Sequence, residues 1–500
     1  MRTPLAIVPL LYSAISFAST PSELAQSTAN YAVNTYSQAM VDSLRELVRY
    51  NTVAVEGISG LDNPAHIGFK AELAKQAQAL GLDFTDHGYL VVIGLGDAKE
   101  RFGIITHGDI QPVDSSKWAK SPFDLDETSE PGRLIGRGTE DDKGPISTAL
   151  YAMKAIKDKG IALNRRIELY VYMAEESDWG PLQAYVKENS LPELNITIDA
   201  EYPVVTAEKG YGTISLTFAD KPIKDGQMAL SEFSGGFFGS QIPEDAVAII
   251  QDASADFEAL LESKATQHDG MHYQFSRDGD NLRVQARGKS AHSSKPQDGV
   301  NAISYLAALL GDRLWPSNSA GALVNFVNSQ LGTGLYGKQF GEIAYSDNFM
   351  GPMTVSPTVI KTSDQGLQLN INIRRPVGKT AGQLEQQINQ AVDNWQSQNG
   401  AVIADRNLYI GEPFVQTSAP HIDTLLRVFS HFTGIKDAKP IAIGGGTNSR
   451  LFPNAVSFGP SMPGVEYTGH SEHEFISMEQ FILNLKMYTA VMVELAANPQ

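Results

Sequence analysis

Five stretches of this chain bring together side chains that can bind a cation or move a proton. "GIITHGD" ends in His107 and Asp109, "LYVYMAEES" in the adjacent Glu175 and Glu176 with Asp178 close behind, and "NITID" in Asp199. "GRGTEDDKG", residues 136–144, presents Asp141 and Asp142. "YTGHSEHEF", residues 467–475, presents His470 and His473 with Glu472 and Glu474. Neighbouring carboxylates repel, so either water or a bound cation must compensate Glu175 and Glu176. Each piece also has a plainer reading. Strand ends are often polar, an aspartate at a helix start caps free amides, and a lone histidine is usually structural. The chain has no cysteine, which leaves His, Asp and Glu as the strong metal ligands and excludes disulfides and thiol nucleophiles.

The elements that must position these groups follow from hydrophobic periodicity. Apolar residues at helical spacing around Met40, Leu44, Leu47 and Val48 predict a helix, and a second is expected to end at Gly81. Apolar runs then alternate with helical segments through "YLVVIGLG", "RFGIITHGD", "RRIELYVYMAEE" and "ELNITIDAEYPVV". This predicts an α/β domain with a mainly parallel sheet and helices on both faces. His107, Glu175, Glu176 and Asp199 then fall at carboxyl ends of strands, where open α/β sheets place their ligand crevice. Between about residues 211 and 414 the strands "TISLTFAD", "NLRVQARG" and "LQLNINIRRP" alternate apolar and polar residues. Antiparallel strands with helices on one face are expected there, an inserted α+β lid domain. The expected organisation is therefore a catalytic domain split into 19–210 and 415–500 around a lid at 211–414.

Composition narrows the function class. With 42% hydrophobic and 19% charged residues in 500, the chain reads as globular and of more than one domain. A formal net charge of −18 argues against a nucleic-acid surface. "MRTPLAIVPLLYSAISFAST" has the layout of a signal peptide, residues 1–18, with cleavage after Ala18. The protein is accordingly expected to be exported, periplasmic or secreted, with no membrane span beyond the signal.

"HGD", "GRGTEDDKGP", "AEES", "DAEYP", "GKSAHSSKPQDGVNA", "IRRPVG", "GGGTNSR" and "GHSEHEF" follow one another in this chain. That series resembles the dizinc aminoacylase/carboxypeptidase family of metallopeptidases, and most closely its dipeptidase V (PepV) branch. The resemblance implies two Zn²⁺, with Co²⁺ or Mn²⁺ as substitutes for the same N/O ligands. It implies His107 and Asp199 on one ion, Glu176 and His470 on the other, Asp141 bridging them across a peptide bond to Asp142 that is often cis, and Asp109 orienting His107. Glu175 is left as general base for a water activated by the two ions. On a strand, alternation would turn Glu175 and Glu176 to opposite sides.

In the lid, His292 is implied to stabilise the oxyanion and Arg374 to grip the substrate carboxylate. Ser240 stands where branch members carry Asn, and Gly445 and Gly446 are implied to line the carboxylate pocket. His473 stands where Asn or Asp is frequent. The implied activity is hydrolysis of dipeptides or short peptides. N-acyl amino acid deacylation and carboxypeptidase action are the nearest alternatives, and a non-catalytic peptide-binding protein is the remoter one. The long lid implies a monomer, with a homodimer as the alternative, and a small peptide as partner.

Overall fold

The computed structural model describes residues 20–224 and 226–497; the expected signal peptide lies outside them. One half of it is built on a nine-stranded sheet. The central strands Arg165–Tyr172, Glu100–His107, Leu194–Thr197 and Val456–Ser457 run parallel. Antiparallel strands flank them, Leu90–Leu95 and Asp83–Asp86 on one side and Val205–Glu208 and Phe414–Val415 on the other. The parallel strands are buried along nearly their whole length because both faces are covered. Ile104, Leu169 and Val171 face a core shared with the helices Glu23–Val48, Lys143–Asp158 and Met478–Ala496. Their neighbours Ile105, Tyr170 and Tyr172 pack on Leu182 of the helix Gly180–Glu188 and on Phe452. Gly81 ends the helix Pro64–Leu80 in the left-handed conformation, at φ 69°, where a residue without Cβ carries no steric penalty.

The chain leaves this sheet after Glu208 and enters a second, eight-stranded one at Gly210. That sheet is antiparallel throughout. Alternation is plain in Asn281–Arg287, where Leu282, Val284 and Ala286 are buried and their neighbours are not. The helices Ala302–Leu309, Ser319–Phe326 and Ala381–Asn399 share its apolar core. The last of them starts with a capping box between Thr380 and Gln383 and stops at Gly400. After Ile410 the chain returns to the first sheet at Phe414. Among the described residues no helix is long and apolar enough to cross a membrane.

Two segments differ from expectation. The strand expected through Glu176 stops at Tyr172, and Glu175 and Glu176 sit in a turn closed by Asp178 N–H on the Ala174 carbonyl at 2.9 Å. Strand alternation is therefore not what separates the two glutamates. The strand expected over "ELNITIDAEYPVV" is three short pieces, Leu194–Thr197, Ala200–Glu201 and Val205–Glu208. Pro203, which has no N–H for a ladder, lies in the last gap.

The loop carrying Asp141 is fixed by a close backbone approach. A Cβ on Gly144 would lie 2.1 Å from the Thr139 carbonyl oxygen. Gly144→Ala is expected to lower stability by about 1–3 kcal/mol, as overpacking does, and to weaken metal binding at the same time. Thermal unfolding with and without added metal checks both.

Candidate metal centre

The carboxyl ends of the parallel strands converge on one cleft. His107 is the last residue of its strand, Asp199 lies just beyond another, and Glu176 lies in the turn beyond a third. Asp141 comes from the loop before the helix Lys143–Asp158, and His470 from the loop before the strand Phe475–Ser477, with its backbone at φ 66°. These five side chains form two groups able to hold a metal ion, His107 with Asp141 and Asp199, and Asp141 with Glu176 and His470. Asp141 belongs to both. Its Oδ1 lies 2.9 Å from His107 Nε2 and its Oδ2 lies 3.2 Å from His470 Nε2. Glu176 Oε1 is 2.6 Å from His470 Nε2, and Asp199 Oδ1 is 3.7 Å from His107 Nε2.

Charge explains why such a cleft suits a cation. Asp141, Glu175, Glu176 and Asp199 line one cavity with His470, and His107 approaches Asp141 and Asp199. Burial lifts Glu175 well above the ordinary carboxylate range, and Asp199 adds to it; burial also pushes Asp199 up to about 6. Burial alone would lower His107, but Asp199, Asp109 and Asp141 outweigh it and hold the imidazole protonated. His470 behaves alike, with burial opposed by Glu176 and Asp141, and rises to about 10. A cation between these Nε2 and carboxylate atoms replaces the imidazole protons and offsets the excess negative charge. The donors are imidazole nitrogen and carboxylate oxygen, which suit zinc, cobalt or manganese.

A surrounding layer of hydrogen bonds fixes these groups. His107 Nδ1 lies 3.0 Å from the Asp109 backbone carbonyl and 3.5 Å from its carboxylate. Asp109 thus meets the ring nitrogen of His107 that faces away from Asp141, with its carbonyl nearer than its carboxylate. The carboxylate accepts the backbone N–H of Glu175 and of Glu176, each at 3.0 Å, and so clamps the turn. Asp142 makes no side-chain cap; Thr106 donates its hydroxyl to it. The Asp141–Asp142 peptide is cis.

Several contributors escaped the sequence reading. Tyr467 donates its hydroxyl to Asp141 Oδ2 at 2.7 Å. Gln111 donates to Glu176 Oε2 at 2.8 Å, and Asn448 to Glu175 Oε1 at 3.3 Å. Fully buried Glu474 accepts Arg137 Nη1 and the N–H groups of Glu140 and Asp141. The motif "GHSEHEF" contained Glu474, but its spacing carries no sign of partners so distant in sequence. His473 is exposed and pairs with Glu130 at 2.8 Å, outside both groups.

The inserted segment contributes the roof, Arg374 from the second sheet and His292 from a separate short ladder in which Ala291–His292 pairs with Gln241–Ile242. His292 lies against His470, the rings tilted by 59° with centroids 4.5 Å apart. Burial, with His470 and Arg374 nearby, holds it well below its ordinary range and therefore neutral. Arg374 is buried over the Tyr211 ring, bonded to Asn372 and Ser293; burial lowers it to about 10, still charged at neutral pH. Ser240 lines the same cavity as Arg374, yet its hydroxyl is 3.2 Å from His470 Nδ1. Beside it Gln241 donates to the His470 carbonyl at 2.9 Å. Gly445 and Gly446 line the cleft on a loop that Glu208 anchors through Thr447 and Arg450.

Comparison with known proteins gives a consistent picture. A model of peptidase family M20/M25/M40 matches residues 103–494. The chain is 30% identical over 424 residues to the Beta-Ala-Xaa dipeptidase of Lactobacillus delbrueckii subsp. lactis, covering 84% of this chain and 86% of that one. Among solved structures, human carnosine dipeptidase 1 aligns at a TM-score of 0.58 with 16% identity, over 94% of this chain and 99% of that one. The di-peptidase Dug1p of Saccharomyces cerevisiae aligns at 0.58 with 12% identity, over 95% and 99%. At such identities the two structures speak for the fold.

Tyr467→Phe removes the hydroxyl on Asp141 and is expected to weaken metal affinity about 10- to 100-fold, the usual cost of losing a partner behind a ligand. His473→Ala is expected to leave it unchanged. Competition against a chromophoric chelator measures both.

Proposed function

Because the chain belongs to peptidase family M20/M25/M40, and so is a metallopeptidase that hydrolyses peptide bonds, we propose that it is a two-metal dipeptidase acting on dipeptides and short peptides. Zinc is the proposed metal, two ions per chain, with His107 and Asp199 on one, Glu176 and His470 on the other, and Asp141 between them. The observation that carries this reading is the Asp141 carboxylate, which turns one oxygen to each histidine while Glu175 lines the same cavity outside both ligand groups. The similarity to a Beta-Ala-Xaa dipeptidase supports the substrate class.

Bound zinc supplies Lewis acidity toward the scissile carbonyl and toward a water molecule. The remaining work falls to the chain's own residues. Glu175 takes the proton of the attacking water and returns it to the leaving amine. A carboxylate lifted by burial and by neighbouring acids is suited to hold that proton between the two steps. Trp179 and Asn448 hold it in place, the indole N–H on the Glu175 carbonyl at 2.6 Å and the amide on its carboxylate. His292, neutral and above His470, donates to the oxygen that becomes negative in the transition state. Arg374 receives the substrate's carboxylate in the larger cavity. The signal-peptide layout of residues 1–18 supports a site of action outside the cytoplasm.

Glu175→Gln is expected to lower kcat by about 10²–10⁴-fold while metal content stays at two per chain. Glu176→Gln is expected to lose metal. Elemental analysis beside steady-state rates separates the two roles, and metal loss from the first variant would mean they are exchanged. Chelation is expected to abolish cleavage of free dipeptides, and added zinc, cobalt or manganese to restore it. N-acetylated dipeptides are expected to remain uncut; their preferential cleavage would move the assignment to a deacylase or carboxypeptidase.

A further inference from the structure

Two adjoining cavities meet at the metal-ligand cluster, sharing Glu175, Glu176, His292 and His470, and their walls differ in charge. The larger, ≈ 570 Å³, is lined by Arg374 and Arg450 with Tyr211 and Tyr409, a setting for a carboxylate. The smaller, ≈ 80 Å³, has no arginine; beyond the shared residues its wall carries Glu201, Lys295, Ser294 and Ile443. Across both cavities the lining carboxylates are Asp141, Glu175, Glu176, Asp199 and Glu201. The first four are committed to metal or to the proton. Glu201 has no such task.

Glu201 already demonstrates the contact at issue, since its Oε1 holds the primary ammonium of Lys295 at 2.7 Å on the cavity wall. A carboxylate offers a second oxygen and further lone pairs, so a second ammonium can bind beside the first. Its backbone is fixed in a short ladder against Pro460–Ser461, with Gly459 N–H on the Glu201 carbonyl and Tyr202 N–H on that of Ser461. The acceptor is therefore held two residues from Asp199, on the wall of the same small cavity.

We propose that Glu201 binds the α-ammonium of the substrate's N-terminal residue, and that the small cavity is the subsite for that residue's side chain. The inference rests on the dipeptidase reading and deepens it. The substrate lies with its carboxylate at Arg374 and its ammonium at Glu201, and N-terminal residues with small side chains are preferred. The free amine becomes a recognition element, read by a group that takes no part in the chemistry.

The test uses the metal-loaded full chain and the pair Ala-Leu and propionyl-Leu, which differ by the amine alone. In Glu201→Gln the preference for Ala-Leu, as the ratio of kcat/KM values, is expected to fall about 10- to 100-fold, the worth of a charge-assisted hydrogen bond. The loss should fall on KM, with metal content unchanged. In Lys295→Met, which removes the ion pair but keeps the acceptor, the preference should persist. An unchanged preference in Glu201→Gln, an equal loss in Lys295→Met, or metal loss from Glu201→Gln would each overturn the proposal. Wild type is also expected to cleave Ala-Leu at least tenfold better than Phe-Leu, and equal rates would remove the small subsite. If wild type shows no preference for Ala-Leu over propionyl-Leu, the dipeptidase reading itself fails, before any variant is compared.

Discussion

Mutual repulsion among the carboxylates around Asp141 is the constraint to which the rest of the structure answers. At about 4 Å and an effective dielectric constant near 20, each pair of like charges costs about 4 kcal/mol, and four such groups share one cleft. No packing of apolar residues relieves that cost. What the fold supplies is a set of donors that hold each acid where a cation can reach it. Asp109 ties down the amides of Glu175 and Glu176, Glu474 takes those of Glu140 and Asp141, and Arg137 pairs with Glu474 behind them. The catalytic half of the chain is thus stable as an anion receptor turned inside out, with positive charge and N–H groups behind the acids and open space in front.

Parallel strands are what make the arrangement compact. Their carboxyl ends open at one edge, so His107, Glu176 and Asp199, distant in sequence, arrive together at or just beyond three of them. Among the described residues, the antiparallel second sheet carries none of the members of the two candidate metal groups. The same inserted segment brings His292 and Arg374 to the larger cavity, Arg374 from that sheet and His292 from the short ladder it forms with Gln241.

The sequence made most strands of the first sheet, and the acids and histidines at their carboxyl ends, readable because apolar periodicity and strand-end polarity are local properties. His107 and Asp199 follow from them, and the Gly-rich frame of Asp141 points to a tight loop. The adjacency of Glu175 and Glu176 was harder to interpret. An apolar run does not say where its strand ends, and the turn after Tyr172, not strand alternation, decides where the two carboxylates go. The supporting layer was not readable at all. Asn448 meets Glu175 across 273 positions and Tyr467 meets Asp141 across 326. Such pairs exist only once the sheet has formed, and no single-sequence pattern encodes them.

The hold of the lid on His470 has a thermodynamic corollary. Gln241 donates to the His470 carbonyl, and the Ser240 hydroxyl meets the ring nitrogen opposite the one facing Asp141 and Glu176. A lid that touches a metal ligand directly shares free energy with the metal. Whatever the docked lid adds to the affinity of the His470 site, the bound ion returns in equal measure to the docked lid. An ion held by His470 would make metal occupancy and lid position one linked equilibrium, and would serve as a strut for the roof.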